Sequence, residues 1–313
     1  MSRNFGIGSR NMAVAGRMVL KRKFQGGFQS IYDIGKRFEL FYVWVAINFG
    51  VKKMENVTFE MVAAYGQHLQ TELDAGLRKS SSAPKSYVSA VNTVMKLATN
   101  NRWRTVRPGS DCGIARRNYI PDESKAMTHA THQTAQCVVG DRIASLMEMQ
   151  RFFGLRFKES CLISPKQALK DVQKHGYITL RAGTKGGKKR NVPCRPGGIA
   201  ILEKALSFQD GRSMVPKSML YVEFRTECYA QAKLAGISFH GERHYYAQSR
   251  YTEITGAPAP VHVGWPRRER IAKLTEYLGV SEAEAKRIDS AARLEISKEL
   301  GHNREDVTNA YLG

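Results

Sequence analysis

The residues best suited to chemistry lie in the second half of the chain, in four short segments. In the first, Gly154-Leu155-Arg156 puts an arginine just after a predicted helix end, and Glu159 follows three residues later. A guanidinium and a carboxylate at this spacing form an ion pair, which on a protein surface is usually worth only a fraction of a kcal/mol. By itself this segment therefore indicates no activity.

The second segment is a glycine turn among lysines. A phosphate-binding P-loop has four residues between its glycines and a Ser or Thr after its lysine. Here Gly183 and Gly187 enclose three residues, and another lysine follows Lys188. The P-loop is excluded, and we predict a hairpin tip that presents Lys185 to an anionic partner.

The third and fourth segments contain histidines. His240 and His244 could share a helix face and bind a metal ion, but the zinc-protease pattern needs Glu directly after the first His, where this chain has Gly241. In the last segment, Tyr311 follows His302 nine residues later. We therefore expect no metal site, and a terminal tyrosine on its own would be assigned to packing.

Taken together and in this order, the segments resemble the catalytic boxes of the tyrosine recombinase (phage integrase) family. That family has an Arg in a Gly-Leu-Arg box, a hairpin Lys, a His-x-x-Arg box, a Leu-Gly-His box and a Tyr nine residues further on. The likeness covers about residues 140–313 at motif level, whereas the first half fits only in outline. The matching positions are Arg156, Lys185, His240, Arg243, His302 and Tyr311, with Glu159 at the acid that usually follows the first Arg.

The resemblance implies a site-specific DNA recombinase or integrase that cleaves and rejoins DNA through a 3′-phosphotyrosyl intermediate, without a cofactor or metal ion. Tyr311 would be the nucleophile. Arg156 and Arg243 would hold the nonbridging phosphate oxygens with their guanidinium forks as negative charge grows in the transition state. Lys185 would protonate the departing 5′ oxygen.

The resemblance gives the histidines and the acid supporting roles. His240 would act as general base or position the tyrosine, and His302 would hydrogen-bond the phosphate. Glu159 would orient the site from behind the residues that touch DNA.

The chain departs from the family pattern around its second arginine. Glu242 precedes that arginine, where the family commonly has Leu. Arg243 and His302 are 59 residues apart, more than twice the separation usual in the family. The excess lies around residues 252–293, and it is either a lid packed on its own domain or a surface for another protomer.

Two further departures concern a strand and the tail. Residues 164–172 predict a helix where a first strand is expected, and only Leu312 and Gly313 follow the tyrosine. Many relatives carry a tail helix there that docks on a neighbouring protomer. The best candidate to replace it is the segment 252–293.

Apolar periodicity predicts a mainly α-helical, two-domain chain with one small β-hairpin. Apolar residues recur at three- and four-residue steps over residues 28–49, and Thr58 is a plausible N-cap. Strands are predicted over 177–181 and 188–193, on either side of the glycine turn. The predicted domains are a basic N-terminal arm (1–27), a helical core-binding, DNA-binding domain (28–120) and a mixed, mostly helical catalytic domain (121–313) with an insertion around 252–293.

The charge favours a polyanionic partner. The 313 residues include 49 Lys and Arg against 28 Asp and Glu, a formal net charge of +21, which suits DNA. The first 32 residues contain no acid, so they are either a solvated arm or a contact with phosphates. The expected DNA contacts outside the catalytic set are Arg3, Arg10, Arg17, Lys21, Arg22 and Lys23 in the arm and Lys188, Lys189 and Arg190 in the hairpin.

Other classes of protein fit the composition poorly. The longest apolar run, residues 41–47, is far shorter than the ~20 residues that span a bilayer. The N-terminus does not resemble a secretory signal, and five scattered cysteines without a Cys-x-x-Cys pair are typical of reduced thiols. We expect a cytoplasmic protein, and the resemblance implies the bacterial cytoplasm or nucleoid.

The resemblance also implies partners. These are double-stranded DNA clamped between the two domains, further copies of the chain from dimer to tetramer on DNA, and accessory DNA-bending or recombinase proteins. Two alternatives stay open: a type IB topoisomerase, which shares the chemistry but relaxes supercoils as a monomer, and a catalytically idle DNA-binding regulator. Pairing of two defined sites with strand exchange distinguishes a recombinase from both.

Overall fold

The computed structural model describes residues 3–78, 80–115 and 120–313, except for the side chain of Lys185. The chain divides into two compact units, residues 1–118 and residues 119–313. Among the described residues, no helix is long and apolar enough to cross a membrane.

The first unit is built from helices around one apolar core. Thr58 caps its third helix, since its side chain accepts a hydrogen bond from the Met61 backbone N–H. Phe38, Phe41 and Val45, on one face of the second helix, are fully buried in the core. The helices are α1 (Met12–Lys23), α2 (Phe28–Phe49), α3 (Phe59–Asp74) and α4 (Ser82–Ala98).

The prediction that residues 1–27 form a separate arm is wrong. Helix α1 (Met12–Lys23) lies within this stretch, capped by the Asn11 side chain, and Met12, Val19 and Leu20 are buried in the core of the first unit. The apolar residues lie on one face of α1 and the basic ones on the other. The dense positive charge concealed this amphipathic pattern in the sequence.

The basic side chains of this stretch differ in what they contact. Arg17 pairs with Glu39 at 3.1 Å, Arg22 donates to the Ile7 carbonyl and Lys23 to the Leu97 carbonyl. These three are engaged within the unit. Arg3, Arg10 and Lys21 are exposed, and Arg22 and Lys23 are exposed as well despite these contacts.

The second unit is also mainly helical, with one two-stranded antiparallel sheet. The strands pair Tyr177 with Pro193 and Leu180 with Arg190. The helix predicted over 164–172 is present. The elements are α5 (His129–Val138), α6 (Asp141–Phe153), α7 (Phe157–Leu162), α8 (Pro165–His175), β1 (Tyr177–Leu180), β2 (Arg190–Pro193), α9 (Gly198–Ser207), α10 (Tyr221–Leu234), α11 (His240–Thr255), α12 (Arg270–Leu278), α13 (Glu282–Glu299) and α14 (Asn309–Leu312).

The segment 252–293 does not stand apart from the second unit. Its first part encloses a small apolar cluster of its own around Ala257, Leu274 and Ala285, to which Trp265 adds its ring. Its last part is the start of α13, whose inner face carries Ala292 into the main core. Much of the predicted insertion is therefore integral to the domain.

Candidate active site

A glycine at the end of α6 sets up the site. Gly154 has φ +62°, and a Cβ there would lie 2.5 Å from the Tyr246 ring, so only glycine fits. The chain turns at this point and places Arg156 directly before α7. The Gly154 carbonyl accepts a hydrogen bond from Arg243 Nη1. The Gly-Leu-Arg box thus joins two helices and brings the two arginines together.

A single backbone carbonyl bridges these arginines. Leu300 O accepts from Arg156 Nη2 at 3.2 Å and from Arg243 Nη2 at 2.5 Å. Leu300 ends α13 in the Leu-Gly-His box. The Leu-Gly-His box therefore supplies a backbone acceptor that holds the two guanidinium groups next to each other. A pattern of side-chain types does not reveal this role.

Glu159 lies behind the first arginine and is completely buried. Its carboxylate accepts hydrogen bonds from the Arg156 backbone N–H at 2.7 Å and from Arg156 Nη1 at 2.9 Å. Burial alone would raise the pKa of this carboxyl, but hydrogen bonds and charge from Arg190 outweigh it and hold the pKa below its ordinary value. Glu159 is therefore ionised at neutral pH and fixes the direction of the Arg156 side chain.

Arg190 was predicted to contact DNA, and that prediction is wrong. Its side chain is 8% exposed, and its two Nη atoms each donate to one Glu159 oxygen at 2.6 Å. Its Nε donates to the Glu299 carbonyl at 2.8 Å. Strand β2 points Arg190 and Val192 inward and Asn191 outward, so the basic run hides an inward position. Lys188 and Lys189, just before the strand, are exposed.

Arg243 contacts the candidate nucleophile. It is 0% exposed, and its Nε donates to the Tyr311 hydroxyl at 3.2 Å. Burial, together with the neighbouring charges of Arg156 and Arg190, lowers the pKa of this guanidinium to about 10, although Tyr311 opposes the shift. Arg243 remains a cation at neutral pH, and it donates hydrogen bonds to the Tyr311 hydroxyl and to the Gly154 and Leu300 carbonyls.

The Tyr311 ring packs against two histidines of α11, which also contact each other with ring centroids 5.0 Å apart. Its ring centroid is 4.8 Å from that of His244 and 5.9 Å from that of His240. Burial and the positive charge of Arg243 lower the pKa of His240. Burial and His240 lower the pKa of His244 to about 4, and His244 Nδ1 is buried with no hydrogen-bond partner among the residues that the structure describes. Both rings are neutral at pH 7, so both can accept a proton.

The remaining predicted catalytic residues are His302 and Lys185. His302 Nε2 lies 3.3 Å from Arg156 Nη2, so His302 joins the cluster. The backbone of Lys185 forms the turn between β1 and β2, whereas its side chain lies outside the described residues. A Cβ on Gly183 would lie 2.8 Å from the Lys158 carbonyl, so the hairpin base packs directly on the start of α7.

Glu242, which departs from the family pattern, has a structural role. It is fully buried, and its two oxygens contact His132 Nδ1 at 2.6 Å and Arg151 Nη1 at 2.9 Å. These contacts tie α5 and α6 to the helix that carries His240 and Arg243. An acid suits this position, where the family commonly has Leu, because His132 and Arg151 both contact its carboxylate.

A buried arginine from the segment 252–293 holds the helix of the candidate nucleophile. Arg293 Nη1 donates to Asn309 Oδ1 at 2.9 Å and to the Gly313 carbonyl at 3.2 Å. Its Nε pairs with Asp289, which also accepts from the Tyr251 hydroxyl at 2.7 Å. The segment therefore positions α14 within the same chain, which sequence reasoning missed.

We expect Arg293→Met to release α14. The substitution removes the donors to α14 and takes one partner from Asp289, so the free energy of unfolding should fall by about 2 kcal/mol. Hydrogen exchange should show faster exchange at the amides of Asn309–Leu312. The matched control is Arg287→Met, on the exposed face of the same helix. Unchanged protection of α14 in Arg293→Met would show that other contacts hold it.

Comparison with known proteins places this arrangement in a fold. No protein-family model matches the sequence, and no curated protein matches it either. Among solved structures, a lambda integrase dimer bound to a COC′ core site has a TM-score of 0.57 at 15% identity, covering 94% of this chain and 92% of that chain. A Tn1549 transposon integrase in complex with a circular intermediate DNA has a TM-score of 0.58 at 9% identity, covering 97% and 96%.

The chain has the tyrosine recombinase fold. A lambda integrase tetramer bound to a Holliday junction agrees, with a TM-score of 0.53 at 16% identity over 77% of this chain and 72% of that chain. The predicted fold class is confirmed, and the resemblance to the tyrosine recombinases holds at the level of the fold. Within this tyrosine recombinase fold, five of the six predicted catalytic side chains meet at one place: Arg156, His240, Arg243, His302 and Tyr311.

Proposed function

We propose that this protein is a site-specific DNA recombinase that cleaves and rejoins DNA through a 3′-phosphotyrosyl intermediate. The observation that carries the proposal is the contact of the Tyr311 hydroxyl with Arg243, whose guanidinium shares the Leu300 carbonyl with Arg156. A nucleophile and two fixed cations at one point suit attack on a phosphodiester.

The two arginines would act as the phosphate clamp. Arg156 is partly exposed and can receive an oxygen of the incoming phosphate. Arg243 is covered by Tyr311, so the hydroxyl must leave Arg243 Nε as a phosphate oxygen takes its place. The same movement frees the hydroxyl to attack phosphorus. Binding of DNA is thus what switches the tyrosine from a partner of Arg243 to a nucleophile.

The transfer itself moves two protons. As the Tyr311 oxygen bonds to phosphorus, its proton passes to a neutral histidine, and the bond from phosphorus to the 5′ oxygen breaks. His240 or His244 can take the proton, since the pKa of each is lowered. Lys185 supplies a proton to the 5′ oxygen, and His302 contacts the phosphate beside Arg156. Religation runs these steps in reverse.

Substrate, partners and location follow from the same proposal. Exposed cations such as Lys21, Lys188 and Lys189 would contact DNA phosphates. The enzyme would act on double-stranded DNA as a homo-oligomer, with accessory proteins where the site requires them, in the bacterial cytoplasm or nucleoid. The alternative of an idle regulator is disfavoured because the site is assembled, and the topoisomerase alternative is distinguished by synapsis.

The experiment is to trap the covalent joint. The protein is incubated with a library of nicked suicide duplexes that includes its native flanking DNA, and adducts that survive denaturation are isolated and sequenced at the junction. Attachment of Tyr311 to a 3′ phosphate at one sequence, with pairing of two such sites, supports the proposal. Adducts without synapsis would favour a topoisomerase, and no adducts at all would favour a regulator.

The hairpin lysine has its own test. If Lys185 protonates the 5′ oxygen, Lys185→Ala should cleave normal DNA slowly and recover on a 5′-bridging phosphorothiolate, because sulfur leaves without a proton. Arg156→Lys is the control and should stay slow on both substrates, since an ammonium cannot replace the guanidinium fork. Equal impairment of Lys185→Ala on both substrates would limit the lysine to holding the phosphate.

A further inference from the structure

A cleft of about 300 Å³ opens beside the candidate active site and shares two lining residues with it. Arg156 and His240 form one side. The other side comes from the start of α7 and from α10. Its volume is at the lower end of the range for small-ligand pockets, enough for one nucleotide rather than for a duplex.

The floor of the cleft is aromatic. The Phe157 ring stacks on Phe239 with centroids 4.7 Å apart and tilts against Tyr229 at 4.9 Å. Phe239 is buried, but Tyr229 is 47% exposed. The cleft therefore presents a supported ring that a flat ligand can stack on.

The rim of the cleft is cationic. Lys158 Nζ lies 5.6 Å above the Tyr221 ring, and the Arg225 guanidinium lies 5.6 Å above the Tyr229 ring. Within the described part of the chain, neither cation has a carboxylate partner, and no acid lines the cleft. Another cleft of the second unit differs, since Arg195 and Lys204 there pair with glutamates. The uncompensated charge points to an anionic ligand.

We propose that this cleft binds an unpaired nucleotide of the cut strand next to the scissile phosphate, with its base on Tyr229 and its phosphates at Lys158 and Arg225. This rests on the proposed function, because a strand held at Arg156 continues across the cleft. A base inside a duplex is already stacked on both faces, whereas the end freed by cleavage must leave its helix to be exchanged. Cations combined with aromatic rings are the usual platform for single strands.

The test needs neither cleavage nor the target site. Fluorescence anisotropy compares the binding of the full chain to octathymidylate and to an abasic octamer of the same charge. Tyr229→Leu, which keeps the bulk but loses the ring, should weaken octathymidylate binding at least about five-fold and leave the abasic octamer unaffected. Tyr229→Phe should bind both like the unaltered protein.

The cations are tested through salt. Combining Lys158→Ala with Arg225→Ala should reduce the slope of log affinity against log salt by about 0.7 for each lost phosphate contact, on both oligonucleotides. The control is Lys233→Ala, which lies on α10 with Arg225 but outside the cleft. It should leave the preference for octathymidylate over the abasic octamer intact.

Two results would overturn the proposal: equal effects of Tyr229→Leu on the two octamers, or an unchanged salt slope in the double variant. The adduct assay decides the recombinase function separately. A chain that forms no adduct yet prefers octathymidylate through Tyr229 keeps the nucleotide site and loses the proposed activity. The reverse result keeps the activity and removes the site.

Discussion

Tyr311→Phe is expected to bind DNA with unchanged affinity and to form no covalent adduct on a nicked suicide duplex. The phenol oxygen is the atom that would bond to phosphorus, and phenylalanine retains the ring that packs against His240 and His244. The measurement is a denaturing gel of the adduct beside a binding isotherm of the same preparation.

The structure provides a matched control for this variant. Tyr245→Phe removes a hydroxyl from the same helix as His240, where the Tyr245 ring stacks under the Arg151 guanidinium at 3.2 Å, and it should form adduct normally. Tyr246 and Tyr251, the other nearby phenols, donate to buried carboxylates of Glu299 and Asp289. An adduct persisting in Tyr311→Phe would assign the nucleophile to another residue.

Arg190→Met is expected to destabilise the second unit by about 3–5 kcal/mol, because it leaves the fully buried Glu159 carboxylate without its two-pronged partner. Arg156 then pairs with Glu159 without the support of Arg190, and the Arg156 side chain should shift as the carboxylate moves. Urea unfolding measures the stability, and the adduct assay should show slower cleavage. Lys189→Met, one residue earlier and exposed, should change stability by no more than about 0.5 kcal/mol.

The Glu159–Arg190 ion pair makes the free energy of unfolding depend on pH. Because the folded pKa of Glu159 lies below its ordinary value of 4.5, the contribution is complete above about pH 4.5 and is lost as the pH falls through the folded pKa. In Arg190→Met this acid-sensitive contribution should shrink, giving a flatter profile below pH 4.5. An unchanged profile and an unchanged midpoint would show that Glu159 does not depend on Arg190.

The sequence by itself was enough to choose the residues that meet at the site. Arg156, His240, Arg243, His302 and Tyr311 follow from the resemblance of the segments to the tyrosine recombinase boxes, because those boxes keep their residue types in a recognisable order. Helix α2 followed from apolar spacing, which is a local pattern: the prediction covers residues 28–49 and the helix is Phe28–Phe49.

The tertiary structure decided which charges face inward. A basic side chain looks the same in a sequence whether it meets DNA or a buried carboxylate, so Arg190 was assigned outward until β2 placed it on Glu159. The amphipathic face of α1 was likewise hidden under its charge. Long-range packing determines which charged side chains are buried. A run of Lys and Arg in the sequence does not indicate which of its members will face inward.

Contacts made by the main chain and across long separations were also beyond the sequence. The Leu300 carbonyl accepts hydrogen bonds from Arg156, 144 positions away in the sequence, and from Arg243, 57 positions away. A backbone carbonyl is present at every residue, so the sequence gives no sign of this contact. Arg293, in the segment 252–293 that is predicted as an insertion, donates a hydrogen bond to Asn309. Only the folded chain brings these groups within hydrogen-bond distance, because their partners are chosen by the packing of α11, α13 and α14 rather than by neighbours in the sequence.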